Sequence, residues 1–244
     1  MSAPAGFDGD AVRRLQSLEA RDHFWQRERR RLFCRLLDRL APRGEAAVDL
    51  GCGCGGMLAP LESRYSRVVG VDGHRALLAE ARRRAEGAAL VEADLCGLPL
   101  RERQFNLVTA FDVLEHLDPD ALLSEARRVV RPDGTLMLSV PAFSSLWSAL
   151  DERAGHRCRY TWGQLQMELQ RNGWRPEGYT HFQCLLFPLV FVTRRLGPAA
   201  LRIERTPSRL VDRALGLVNR IEVATFSGLR LPFGSSLVAW ARPA

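Results

Sequence analysis

The stretch AAVDLGCGCGG, residues 46–56, decides the fold. A short apolar run carries an acid, Asp49, and then breaks into glycines at Gly51, Gly53, Gly55 and Gly56. A strand feeding such a turn is how an open α/β sheet starts a nucleotide site. Glycine lets the backbone turn sharply and approach a ligand closely. Gly51, Gly53 and Gly56 also satisfy G-x-G-x-x-G. A dinucleotide pyrophosphate and a small cationic nucleoside are therefore both candidates for the turn.

Working outward, strand-like runs at residues 46–50, 67–72, 88–93, 105–110 and 135–140 are rich in Val, Leu and Ala. They are apolar enough to be covered on both faces, as parallel strands are. Helical periodicity lies between them at 57–63, 75–86 and 119–130, the last closing at Arg131-Pro-Asp-Gly134 as a stop-and-turn signal. The alternation predicts a doubly wound, Rossmann-like, mostly parallel sheet. A helix over 24–40 precedes it, with Leu32, Phe33, Leu36, Leu37 and Leu40 on one stripe and Arg27–Arg31 read as a solvated face. After the sheet, Thr161–Gln164 fits a capping box for a helix closing at Asn172-Gly173, and a strand is expected near 178–182. Residues 184–222 read as two Leu- and Arg-rich helices broken at Gly197-Pro198 and Pro207, before a last strand at 236–241. The expected organisation is an N-terminal helical lid (1–45), an α/β core (46–183), a helical insertion (184–235) and the final core strand (236–244).

The chain has 244 residues, 46% of them hydrophobic and 26% charged, enough to bury a sizeable core. Its net charge of +7 is carried by arginine. That excess suits acidic partners or simply a solvated surface. The six cysteines, Cys34, Cys52, Cys54, Cys96, Cys158 and Cys184, lack paired metal-ligand spacing. With no signal peptide read at the start, free thiols in a reduced cytoplasm are expected. The longest uncharged apolar run, 184–192, is too short to span a bilayer.

Three acids choose between the ligands. Asp49 ends the first strand, where an anion would oppose a pyrophosphate and favour a cation. Asp72 ends the second strand in Gly70-Val-Asp72, placed to accept from ribose hydroxyls, a feature dehydrogenases share. Glu92-Ala-Asp94-Leu95 ends the third, placed for an adenine amino group. Together they fit a nucleoside bearing a sulfonium and an ammonium.

With VDLGCGCGG, VVGVDG, VEADLCGLPL, FNLVTAFDVLEHL and VVRPDGTLMLSVP in this order, residues 46–141 resemble the class I S-adenosylmethionine-dependent methyltransferases. The resemblance implies S-adenosylmethionine as cofactor and methyl transfer as activity. It implies that Asp49, Gly51, Gly53 and Gly55 cradle the methionine part, that Asp72 takes the ribose, and that Asp94 and the Leu95 amide take the adenine. Phe111 would contact the methionine end through its backbone.

The acceptor side is read from two constellations. Asp112-Val-Leu-Glu115-His116 resembles the E-x-x-E-H pattern of ubiquinone-pathway O-methyltransferases, where those side chains can hold a divalent metal. Here aspartate stands first, which shortens the reach. No metal is therefore the leading expectation, and Asp112, Glu115 and His116 are the ligands if there is one. His116 is also a candidate base. The other constellation is similar to a bacterial subgroup with H-F-W near the start, V-P-A and Leu-Trp after the fifth strand, and H-x-R-R-Y-T beyond. The matching residues are His23-Phe24-Trp25, Val140-Pro-Ala142, Leu146-Trp147 and His156–Thr161. By that resemblance His156 and Tyr160 are catalytic candidates, Trp147, His156, Arg159 and Tyr160 face the acceptor, and Trp25 closes over the cofactor. A loop-fixing His–Tyr pair, and Trp25 as a plain core residue, are the competing readings.

The expected acceptor is a small or lipid-like molecule methylated at oxygen. Leu185–Val192 with Arg194, Arg195, Arg202, Arg205 and Arg209 reads as a pocket lid, a homodimer face or a peripheral membrane contact. No RNA-binding module or aromatic–basic interleaving is found, which argues against a nucleic-acid partner. An RNA methyltransferase, and a non-catalytic or cyclase relative that only binds the nucleoside, are the alternatives.

Overall fold

The computed structural model describes residues 12–13, 16–17, 22–41, 43–196 and 207–244. Its strands are β1 (Gly44–Leu50), β2 (Tyr65–Asp72), β3 (Ala89–Glu92), β4 (Phe105–Phe111), β5 (Val130–Pro141), β6 (Trp174–Phe182) and β7 (Ser236–Pro243). They form one sheet in the order β3-β2-β1-β4-β5-β7-β6. The first five pair in parallel, and β7 runs antiparallel between β5 and β6. The chain winds outward from β1 to β3 and then returns to β4 on the other side of β1. The order therefore reverses at β1/β4, which places the glycine turn in the crevice where such sheets take ligands.

Side chains alternate across β1, so Ala46, Val48 and Leu50 feed one core and Ala47 the other. Leu32, Phe33, Leu36 and Leu37 of α1 (Phe24–Leu40) close the second core, as their spacing predicts. The first core is covered by α4 (Pro119–Val129) and α6 (Trp162–Arg171) through Leu122, Leu123, Leu165 and Leu169. Two shorter helices, α2 (Leu58–Glu62) and α3 (Arg75–Arg84), follow β1 and β2. A further short helix, α5 (Ala149–Ala154), has no counterpart in the sequence reading.

The expected capping box of Thr161 and Gln164 is present, and Gly173 takes φ +74° after the last turn of α6. Several expectations need correcting. Arg131-Pro-Asp-Gly134 is not a turn ahead of the strand but lies inside β5, where the register with β4 shifts between Phe105 and Leu107. A Cβ at Gly134 would stand 3.0 Å from the Phe105 and Asn106 carbonyl oxygens, so glycine is needed for the close approach. Strand β6 starts at Trp174, earlier than read, because Pro176 and a register shift before Gly178 mask its first half. Nor is Arg27–Arg31 a solvated face: Glu28 is buried, and the Arg29 guanidinium lies 3.9 Å over the Trp25 ring. Among the described residues, the segment read as two helices carries α7 (Phe187–Arg195) and α8 (Arg209–Phe226). Gly197, Pro198, Arg202 and Arg205 lie outside the described residues.

Candidate active site

A cavity of about 980 Å³ opens beyond the carboxyl ends of β1, β2 and β4. Gly51 lines it with φ +72°, and a Cβ there would come 2.4 Å from Val113 Cγ2. Gly51 and Cys52 donate their N–H groups to the Val71 carbonyl at 2.8 and 3.0 Å, fixing the turn against β2. Gly53, with φ +53°, lines the cavity too. Gly55 does not. A Cβ on it would stand 2.9 Å from Ala81, so its role is the close packing of the turn on α3, and Gly56 lines the cavity in its place.

The three strand-end acids converge on this cavity with Trp25, Leu95 and Phe111. Asp49 is buried and accepts a 2.6 Å hydrogen bond from Thr109 Oγ1. Burial pushes its carboxyl up to about 7, the Thr109 hydroxyl opposing and the Asp72 charge reinforcing the shift. Among the described residues, no positive charge counters that rise. Asp72 is held by the loop it faces: Gly53 N–H donates to Oδ2 at 2.9 Å and His74 N–H to Oδ1 at 2.8 Å. Each oxygen keeps acceptor capacity beyond one bond. Asp94 accepts from the Cys96 N–H at 2.9 Å. Phe111 stacks on Phe33 of α1 with ring centroids 3.9 Å apart, beside the Trp25–Arg29 pair.

The other end of the cavity is built around Asp151. This acid closes a capping box with Ser148 at the start of α5, and it is buried. One oxygen takes the His156 Nδ1 at 2.8 Å and the Arg159 Nε at 2.8 Å; the other takes Arg194 Nη1 at 3.3 Å. Against the upward push of burial, His156 and Arg159 draw Asp151 down to about 2. It is therefore an anion at any physiological pH, and the neutral tautomer of His156 that pairs with it carries its proton on Nδ1 and offers Nε2 as an acceptor. His116 shares its Nδ1 with the Gly155 carbonyl at 3.2 Å. Burial and the neighbouring His156 lower it to about 4, so it stays neutral. The two imidazoles meet edge to face at 5.0 Å.

Glu115 completes the group. It is buried, and neither carboxylate oxygen has a hydrogen-bond partner among the described residues. Burial lifts it to about 8, against the charges of Arg29 and Arg159. One oxygen lies 3.9 Å from His156 Nε2. Ligand atoms of Glu115, His116 and His156 all fall within 4.8 Å of one another, a spread that could gather around one ion. Asp112, named in the sequence with Glu115 and His116 only for the case that a metal binds, is not part of this group. Asp112 pairs with Arg29 and accepts from Ser139 Oγ at 2.8 Å, and its backbone takes φ +55°. That turn carries its carboxylate toward α1 and away from Glu115.

Two further expectations fail. Tyr160 does not line the cavity: it is buried in the core, with its backbone paired to Pro141 and Phe143, and burial raises its phenol out of reach of general-base work. Trp147 also stands outside the cavity, 37% exposed after a short 3₁₀ turn. Arg159 does line it, anchored to Asp151 and to the Ala142 carbonyl at 2.9 Å. The sequence reading missed Asp151, Arg29 and Gln183 as site residues; these line the cavity together with Arg194, which it had given to the C-terminal helical segment. Only Asp151 left a local trace, the S-x-x-D capping pattern of Ser148–Asp151.

Residues 48–138 match the methyltransferase domain family. The chain is 32% identical to a probable S-adenosylmethionine-dependent methyltransferase of Mycolicibacterium smegmatis, over 50% of this chain and 47% of that one. It is 32% identical to a ubiquinone biosynthesis O-methyltransferase of Pseudomonas aeruginosa, over 42% of this chain and 47% of that one. Among solved structures it is similar to geranyl diphosphate C-methyltransferase of Streptomyces coelicolor A3(2), determined with Mg2+, geranyl diphosphate and S-adenosyl-L-homocysteine. That likeness has a TM-score of 0.60 at 16% identity, over 86% of this chain and 77% of that one. The chain spans 34% to 47% of the length of the first curated relatives it matches.

Proposed function

We propose that the chain, a class I S-adenosylmethionine-dependent methyltransferase, methylates an oxygen of a small or lipid-like acceptor in a biosynthetic pathway. One observation carries this reading. A single cavity joins three strand-end acids at one end to a histidine oriented by a buried anion at the other.

S-adenosylmethionine, when bound, supplies an activated methyl group on a sulfonium, so the protein's work is holding and orienting. Asp72 holds the ribose, Asp94 and the Leu95 amide hold the adenine, and Asp49 with Gly51 and Gly53 faces the cationic methionine end. Phe111 borders that end through its backbone, and Trp25 covers it from α1. On the acceptor side, His156 Nε2 takes the hydroxyl proton while Asp151 holds the tautomer and balances the imidazolium that forms. Neutral His116 offers its own Nε2 to orient the acceptor hydroxyl, and Arg159 walls the pocket.

A second reading rests on the orphaned Glu115 carboxylate. Glu115, His116 and His156 would hold a divalent metal, whose chemistry would be to polarise an acceptor oxygen.

The test is incubation with isotopically methyl-labelled cofactor and fractionated cell extract, read by mass spectrometry. The expected result is label in small or lipid-soluble products. Label in RNA instead, with steep salt dependence, would support an RNA methyltransferase. Cofactor binding with no labelled product in any fraction would support a protein that only binds the nucleoside.

A further inference from the structure

Helix α8 packs one face on the body of the protein. Asn219, Glu222 and Val223 are buried there. Asp212 accepts from the Phe24 N–H at 3.1 Å, and Arg35 of α1 donates to the Val223 carbonyl at 2.8 Å. The opposite face carries Leu210, Ala214, Leu217, Ile221 and Ala224, spaced four, three, four and three apart. All five are exposed, Leu210 at 77%, Leu217 at 58% and Ile221 at 50%. This is an apolar stripe of a kind helices normally bury.

Charge decides what covers it. The exposed cations Arg209, Arg213 and Arg220 flank the stripe. The acids of the helix, Asp212 and Glu222, are both turned the other way: Asp212 toward Phe24 and Arg27, Glu222 to the Leu185 N–H at 2.7 Å. Two copies joined along this stripe would bring Arg213 and Arg220 onto a partner strip with no exposed acid to answer them. An anionic bilayer surface meets both requirements, taking the apolar residues among its acyl chains and the guanidinium groups among its phosphates. Among the described residues no helix is long and apolar enough to cross a membrane.

We propose that the outer face of α8 is a docking surface for an anionic membrane, on which the protein lies without spanning it. This holds whether or not the acceptor is a lipid.

The experiment is flotation of the full chain with extruded vesicles, either pure phosphatidylcholine or with about one-third phosphatidylglycerol. We expect at least about tenfold stronger partition onto the anionic vesicles, weakened by high salt. The double variant Leu217→Glu, Ile221→Glu should lose it, as should Arg213→Glu, Arg220→Glu. All four residues are exposed, so both variants should keep the parent circular dichroism and melting temperature. Absence of flotation would overturn the proposal. So would flotation that both variants retain, and so would a concentration-dependent dimer in analytical ultracentrifugation that Leu217→Glu, Ile221→Glu dissociates.

Discussion

Replacing Asp49 by Asn separates the two roles of a buried acid. Its carboxyl, ordinarily at 3.8, is carried to about 7 by burial. A group whose proton affinity rises on folding costs stability wherever the unfolded chain would release the proton and the native state resists. Below pH 3.8 both states hold the proton and the cost is nil. It grows as pH rises toward 7 and is complete above that. At about 1.4 kcal/mol per tenfold change in proton affinity, the full cost is about 4 kcal/mol. Asn keeps the oxygen that accepts from Thr109 and carries no charge. Asp49→Asn should therefore raise the melting temperature of the ligand-free protein by roughly 10 °C at pH 8 and leave it unchanged at pH 4. Cofactor binding should move the other way. Losing a charge-assisted contact of about 1.5–3 kcal/mol weakens S-adenosylmethionine by about 10- to 100-fold. The parent's affinity should fall by about tenfold for each pH unit below 7, because Asp49 must ionise to meet the cation, and the variant should lose that dependence. Scanning fluorimetry and calorimetry at several pH values read both. A variant with a lower melting temperature at pH 8 and unchanged cofactor affinity would refute the reasoning, making Asp49 a structural acid.

Three further outcomes are expected. Asp72→Ala should weaken the cofactor by more than about 100-fold in calorimetry, since it removes both the ribose acceptor and the anchor of the Gly53 and His74 amides; unchanged affinity would displace the ribose from β2. His156→Gln should lower kcat by about 10²- to 10⁴-fold and leave cofactor affinity within about threefold. An equal loss in both would make His156 a positioning residue. Gly51→Ala should destabilise the protein by about 2 kcal/mol or more and abolish cofactor binding, because φ +72° and Val113 both exclude a methyl group. A fully stable variant in chemical denaturation would contradict the turn geometry.

The strand ends were legible because their signals are local: Asp49, Asp72 and Asp94 each follow a few apolar residues at a sheet edge, and all three line the cavity. The acceptor side was harder to read. Arg159 and Tyr160 are adjacent in sequence, and the extended backbone that bridges Tyr160 to Ala142 sends their side chains opposite ways, Arg159 to the cavity and Tyr160 to the core. No spacing rule reveals which of two neighbours turns inward. Asp112 stands in the sequence as a ligand only if a metal binds, and nothing local shows that Arg29, from a helix far upstream, claims it. Asp151, Arg194 and Gln183 come together only when β5, α5, α7 and the end of β6 meet. The register shifts in β5 and β6 hid strand residues behind Pro132 and Pro176, which read as breakers when taken alone.

The central claim, that the acids at the rim of the sheet select a cationic nucleoside, is tested most directly by one calorimetric competition. The protein is titrated with S-adenosylmethionine at pH 8, alone and with excess NADH present. The account predicts saturable one-to-one binding of S-adenosylmethionine that NADH leaves unchanged. Displacement by NADH, or heat from NADH and none from S-adenosylmethionine, would contradict it.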